Sequence, residues 1–227
     1  MPIWQLDHRN IFPDPFDADP DGLLAIGGDL SSDRLLLAYR SGIFPWFTLG
    51  HEPYWFAPDP RCILDFQNLH ISGSMKQLLK KKAFDVTLDK DFESVIKSCA
   101  QIERKNDEST WIDNYFIDAY CKLHHQGHAH SVEVWQNEKL VGGLYGIIQG
   151  GVFFGESMFS RVSNASKYGF ISLVAHLQKH QFDFIDCQIY NDHLASLGAH
   201  NISREEYMLR LHNGLYKNAT PVVPETL

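Results

Sequence analysis

Several things are missing from this chain, and each absence removes a class of protein. No two of its four cysteines, Cys62, Cys99, Cys121 and Cys187, are spaced as CxxC. That argues against a zinc ribbon or a disulfide framework and points to buried free thiols. No stretch approaches the roughly 18 consecutive apolar residues of a membrane span. The opening MPIWQLDHRNIFPDPF also lacks the basic and continuously apolar regions of a secretory leader. A cytoplasmic protein is the expectation. Positive charge is scarce too: 20 Lys and Arg stand against 28 Asp and Glu, a net charge of −8. Such a chain is not a general nucleic-acid coat, although a local basic patch can still guide a polyanion.

What remains is an ordinary soluble composition. At 227 residues and 44% hydrophobic, the chain can bury a sizeable core as one large domain or as a small one plus a medium one. The first 60 residues are rich in Pro and Gly. Within them Ser31 or Ser32 can cap a short helix through Leu35, Leu36 and Tyr39, and Gly42 fits its C-terminal stop. A second helix is expected from Ser72, a strand at FDVTL, and helices over DFESVIKSCAQI and NYFIDAYCKLHHQG, the last closed by Gly127. HSVEVWQ and KLVGGLYGIIQ flank an Asn137-Glu138 turn, and GVFFGES follows Gly150-Gly151, so an antiparallel meander is expected. Asn164 then caps a long helix, ASKYGFISLVAHLQKH, which leads to a strand at FDFIDCQI and two more helices. The last of these opens on a capping box, Ser203 with Glu206. The tail TPVVPETL is expected to be loose.

Two short stretches carry the chemistry. In GVFFGESMFS a carboxylate, Glu156, is embedded in apolar sequence, which is expensive unless the group is paired or working. In FIDCQ, Asp186 and Gln188 lie two apart, so a strand points both to one face and Cys187 to the other. The order of helices, meander, helix and further strand is that of a GNAT-type acyltransferase core, an α/β arrangement that grips its donor where the central strands splay. The glycine-rich loop that would hold the pyrophosphate of CoA reads SMFSRVSNASK here, with no glycine, which speaks against CoA as the donor.

GLLAIGGDLS, AYRSGIFPWF, PDPR, TWI, GHAHSVEVW, LVGGLYG, FFGESMFS, NASK and IDCQ with NDHLASLGA occur in order between about residue 11 and residue 210. With them the chain resembles the bacterial leucyl/phenylalanyl-tRNA-protein transferases. The resemblance implies a cytoplasmic enzyme that moves Leu or Phe, and less readily Met, from aminoacyl-tRNA to an N-terminal Lys or Arg of a protein, and nothing in the sequence suggests more than a monomer. The product is marked for degradation by its new N-terminus. The resemblance also implies no cofactor and no metal, and a division into a small N-terminal domain, residues 1–60, and a GNAT-like domain, residues 61–227.

Elementary chemistry fits that reaction. An aminoacyl-tRNA is already an activated ester, so its aminolysis needs a neutral amine, good positioning and oxyanion stabilisation. An α-amino group with a pKa of about 8 is neutral in roughly a tenth of molecules near pH 7, so no strong base is required. Asp186 is assigned to orienting the amine or accepting its proton, and Gln188 to holding amine and ester in register. An amide oxygen accepts hydrogen bonds but has negligible basicity. Glu156 is expected to face the same cleft, bonding the terminal ribose or Gln188 or attracting a cationic first residue. These three roles stay open at this level.

The resemblance places Leu144, Phe153, Met158, Phe170, Leu173, Leu177 and Ile185 in the aminoacyl pocket, with Leu144 where Met is usual and Phe170 where Leu is usual. Trp46 and Trp111 match positions that embrace the terminal adenine, a stacking contact of about 1 to 3 kcal/mol per base. Tyr54 replaces the first member of the family's Trp pair, and Trp55 keeps the second. Lys76, Lys80, Lys81 and Lys82 form the concentrated basic patch expected to meet an acceptor stem through its phosphates. His124, His125, His128 and His130 resemble metal spacing, but no Cys or carboxylate is placed with them. Two rival readings are a CoA-dependent N-acetyltransferase, which should show the pyrophosphate loop, and a non-catalytic tRNA-binding module. The second leaves Asp186, Gln188 and Glu156 without work.

Overall fold

The computed structural model describes residues 3–102, 112–217 and 227. Its chain forms two sheets. The first is four-stranded and built from β1 (Trp4–Leu6), β2 (Leu23–Gly27), β3 (Phe44–Leu49) and β4 (Glu52–Phe56), in the order β1-β2-β4-β3. Helix α1 (Ser32–Arg40) links β2 to β3 and stops before Gly42, whose φ of +73° suits a residue without a Cβ. The sequence reading anticipated this helix but none of the four strands.

The second sheet has seven strands: β5 (Arg61–Asp65), β6 (Asp85–Leu88), β7 (Ala129–Gln136), β8 (Lys139–Gln149), β9 (Val152–Ser160), β10 (Phe184–Gln188) and β11 (His200–Ile202). Their order is β11-β5-β10-β9-β8-β7-β6. The expected meander is β7-β8-β9, antiparallel throughout, and its first turn has Asn137 and Glu138 both at positive φ, 51° and 60°. That backbone matches the twist of a two-residue hairpin. Helices α2 (Gly73–Lys80), α3 (Phe92–Gln101), α4 (Asn114–His125), α5 (Ala165–Lys179), α6 (Asp192–Ala195) and α7 (Arg204–Leu215) complete the chain.

Local capping explains most helix starts. Ser72, Asp91, Asp113 and Ser203 each accept a hydrogen bond from a backbone N–H of the first turn. Asn164 does not. It stands before α5 in a left-handed conformation, φ 69°, and makes no side-chain cap bond. The hydroxyl of Ser160 accepts from the Ser166 N–H at 3.2 Å instead.

The period of two along β8 and β9 sorts the core into two layers. Tyr145 and Phe154 face a cluster that includes Cys99 of α3, Tyr120 of α4, Tyr39 of α1 and Trp55 of β4. Leu144 and Phe153 face the other way, against Leu173, Val174 and Leu177 of α5. Side chains of the four-stranded unit and of the large sheet thus share one hydrophobic cluster. Among the described residues no helix is long and apolar enough to cross a membrane.

The feature that positions the site is the one parallel pair of the large sheet. β10 pairs with β9 through Phe184↔Val152, Ile185↔Phe153 and Asp186↔Phe154. β9 then continues beside β8 as far as Ser160, while β10 ends at Gln188. The two strands part after Phe154, at Gly155 and Glu156.

Candidate active site

A cavity of about 520 Å³ opens where β9 and β10 diverge. Of the seven residues expected to form an aminoacyl pocket, Leu144, Phe153, Met158, Phe170 and Ile185 line it. Leu173 and Leu177 do not. They continue the Phe170 stripe of α5 at i+3 and i+7, and that stripe runs from the cavity wall into the core, where both are 1% exposed or less. Trp46 on β3 forms part of the opposite lip, its ring edge-on to Phe56 at 4.9 Å. Trp111 lies outside the described residues. Trp55 is fully buried and donates its indole N–H to the carbonyl of Gly27 at 2.9 Å, so it holds β4 to β2, and Tyr54 stacks on Phe47 at 4.8 Å.

The polar end of the cavity is built around two carboxylates. Strand alternation would turn Asp186 and Gln188 to the same face, but the strand is bulged between them and Gln188 has a φ of 63°. Cys187 and Gln188 consequently both line the cavity, and Asp186 turns towards β5. There the Arg61 guanidinium grips its two oxygens at 2.9 and 2.7 Å, the Tyr207 hydroxyl donates at 2.7 Å, and the backbone N–H of Gln188 donates at 2.9 Å. Arg61 itself is buried between the rings of Phe44 and Tyr207, 4.7 and 4.5 Å away, and donates to the Gly42 carbonyl at 3.1 Å. Burial works against that guanidinium charge, but Asp186 outweighs it and raises the Arg61 pKa. The result is a closed ion pair whose clearest local effect is to pin the left-handed Gln188.

Glu156 sits in different company. Its Oε1 accepts from the Tyr39 hydroxyl at 2.7 Å and from Gln188 Nε2 at 2.8 Å, and its Oε2 accepts from the Tyr120 hydroxyl at 3.0 Å. All three partners are neutral. Burial pushes the Glu156 carboxyl up to about 7, opposed by the three hydrogen bonds and reinforced by the charge of Asp186. Burial also drives the phenols of Tyr39 and Tyr120 well above their ordinary value, so both remain protonated. Of the three roles left open for Glu156, the structure contains the bond to Gln188.

Four of these partners, Arg61, Tyr39, Tyr120 and Tyr207, escaped the sequence reading. Tyr39 and Tyr120 fit the apolar stripes of their helices and read as core. The available signal is that a buried phenol needs a partner for its O–H.

The remaining candidates are spread out. Lys76, Lys80, Lys81 and Lys82 are exposed on α2 and the turn after it. His124 bonds the Ala129 carbonyl at 2.8 Å, tying α4 to β7, and His130 bonds Asp89 at 2.7 Å, tying β7 to the segment between β6 and α3. Among the described residues no group of three or more His, Cys, Asp or Glu side chains converges as metal ligands would.

The cavity offers an apolar chamber and, beside it, the amide of Gln188 and the carboxyl of Glu156, whose pKa burial raises to about 7. Its one thiol, Cys187, is raised far above the range of a nucleophile by a hydrogen bond with Cys62 and by burial. Such a site fits an acyltransferase that works on an already activated ester. The profile described as "Leucyl/phenylalanyl-tRNA protein transferase" matches residues 63–212, and the profile of that family's N-terminal domain matches residues 28–59. The chain belongs to the leucyl/phenylalanyl-tRNA protein transferase family. It is 58% identical over 197 residues to the leucyl/phenylalanyl-tRNA–protein transferase of Flavobacterium johnsoniae, covering 87% of this chain and 93% of the relative. It is 53% identical over 216 residues to that of Edwardsiella ictaluri, covering 94% and 88%. Among solved structures, L-PGS from Bacillus licheniformis aligns with a TM-score of 0.40 at 12% identity over 76% of this chain and 57% of that one, too distant to carry an argument about fold. The protein is an enzyme that transfers an aminoacyl group from tRNA to a protein.

Proposed function

We propose that the enzyme transfers Leu or Phe, and less readily Met, to proteins whose first residue is Lys or Arg, and so marks them for degradation in the cytoplasm. The observation that carries this reading is an apolar chamber ending at the Glu156–Gln188 pair. A γ-branched, linear or aromatic apolar side chain fits among Leu144, Phe153, Met158, Phe170 and Ile185, which places its ester at the polar end. Because Gln188 Nε2 is given to Glu156, the amide oxygen is left to accept from the incoming amine. Asp186 acts as an orienter, holding Gln188 through its backbone N–H. Glu156 is the one carboxylate among the described residues of the cavity wall, and it favours a cationic first residue.

In this reading Trp46, with Trp111, holds the terminal adenine, and the lysines of α2 meet the acceptor-stem phosphates. The ester supplies its own activation, so neither cofactor nor metal is needed, and the enzyme works as a monomer. Residues 1–60 form the small N-terminal domain and residues 61–227 the GNAT-like domain, a division supported by the change of sheet between β4 and β5. The deciding experiment incubates the enzyme with labelled Leu-tRNA and peptides that differ only in their first residue. Label should reach Arg- and Lys-starting peptides and stay off Ala-starting ones, and equal transfer to all three overturns the acceptor assignment.

A further inference from the structure

The hydroxyls of Tyr39 and Tyr120 each contact Glu156, at 2.7 Å on Oε1 and 3.0 Å on Oε2, and they also contact each other in a short hydrogen bond. The three groups therefore make a triangle with three oxygen–oxygen contacts. Each contact needs one proton. When Glu156 is ionised only the two phenolic protons exist, so one contact is left as two oxygens facing each other with nothing between them. A proton on Glu156 completes the set. Oε2 then donates to Tyr120, Tyr120 to Tyr39, and Tyr39 to Oε1, which also receives Gln188 Nε2.

We infer that Glu156, Tyr39 and Tyr120 form a ring that stores one transferable proton, taken from the attacking amine and returned to the departing ribose oxygen. The amine nitrogen forms its bond to the ester carbonyl carbon, and the carbonyl electron pair moves onto oxygen. The proton of the now cationic nitrogen passes to the Glu156 carboxylate and closes the ring. As the carbon–oxygen bond to the ribose breaks, the leaving oxygen takes that proton and Glu156 is an anion again. Ester and amine become amide and alcohol, with no other reactant. The unprotonated contact makes the resting carboxylate eager for a proton, and the closed ring holds it only until the leaving group needs it.

Glu156 on β9 is the catalytic residue, and Tyr39 and Tyr120 are positioning residues that act through it. The groups packed around it are few: Tyr39 from α1, Tyr120 from α4, Tyr145 of β8 behind Tyr120 at 5.7 Å, and Gln188 and Asp186 from β10. The charge of Asp186 is balanced by Arg61 of β5, and Tyr207 of α7 stays on the far side of that pair. No cation reaches Glu156 among these neighbours.

The inference rests on the transfer reaction and not on the acceptor assignment, and its main test needs no substrate. In an infrared difference titration of the whole protein, a protonated-carboxyl band should be present at pH 6, fade towards pH 8, and be missing from Glu156→Gln. In Tyr39→Phe and in Tyr120→Phe the midpoint should move down by about one pH unit, because the neutral form loses two hydrogen bonds while the ionised form loses one and is relieved of its empty contact. Two independent donors would do the opposite, since each stabilises only the anion. In transfer assays both variants should lose about threefold to tenfold in kcat, with KM for aminoacyl-tRNA and for peptide unchanged. A midpoint that stays or rises in both variants, or the absence of the band, overturns the ring. Unchanged kcat in both overturns its part in catalysis.

Discussion

Asp186, fully buried, and Glu156, half-buried at the cavity wall, are both tied to Gln188, and their surroundings are opposite. Asp186 faces a guanidinium, a phenol and a backbone N–H; Glu156 faces two phenols and an amide. The first set holds a full compensating charge, the Arg61 guanidinium, and Asp186 serves as an anchor. The second offers only neutral donors, so burial leaves Glu156 close to balance between its two forms near neutral pH. Proximity to the cleft does not decide which carboxylate moves protons. The charge of the partner does.

The largest effect that would test this contrast is removal of that partner. Arg61→Met should cost about 3 to 5 kcal/mol in urea unfolding, because it leaves Asp186 buried without its cation. A small loss would mean that the Arg61 charge is not what holds Asp186 in place. Next comes a pair of isosteric changes with crossed outcomes. Glu156→Gln should lower kcat by about a hundredfold or more while leaving stability at pH 8 unchanged or higher. Asp186→Asn should instead lose about 2 to 3 kcal/mol of stability and keep much more of its turnover per folded molecule. If it loses turnover as severely with no loss of stability, Asp186 is the proton acceptor and the contrast is reversed.

A pH effect follows in size. The folded value of Glu156, about 7, lies above its ordinary 4.5, so the group favours the folded state in full below about pH 4.5. That contribution is lost as pH rises through about 7, on the order of 2 kcal/mol once its contact with the cavity is allowed for. Urea midpoints measured from pH 5 to pH 8 should therefore fall in the wild type more steeply than in Glu156→Gln. Parallel curves would remove Glu156 as the titrating group. The smallest effect is expected from Tyr207→Phe, which takes one donor of three from Asp186. It should cost about 1 kcal/mol, independent of pH, with kcat nearly intact.

The parts of this site that a reader of the sequence can see are those with a local pattern. The apolar positions of β8, β9 and α5, the hairpin turn at Asn137-Glu138, and the oddity of Glu156 within an apolar run are all visible within a dozen residues. The partners are not. Arg61 lies 125 residues from Asp186, and Tyr39 lies 117 residues from Glu156. Nothing in PDPR or AYRSG announces a distant carboxylate. The bulge that turns Asp186 away from Gln188 is equally silent, because the side chains that stabilise it belong to β5 and α7. The short strands β1 to β4 are hidden among prolines and glycines, where no alternation runs long enough to register.

Tyr39 and the carbonyl of Gly42 come from the four-stranded unit, yet one completes the surroundings of Glu156 and the other holds Arg61. Chemical competence is therefore a property of the finished chain. A clipped polypeptide that had formed only the large sheet would own Gln188 and Glu156, but it would lack the cavity wall formed by Phe44, Pro45 and Trp46, a corner of the hydrogen-bond triangle and one tether of Arg61. The four-stranded unit is therefore part of the fabric of the site and not an appendage to it.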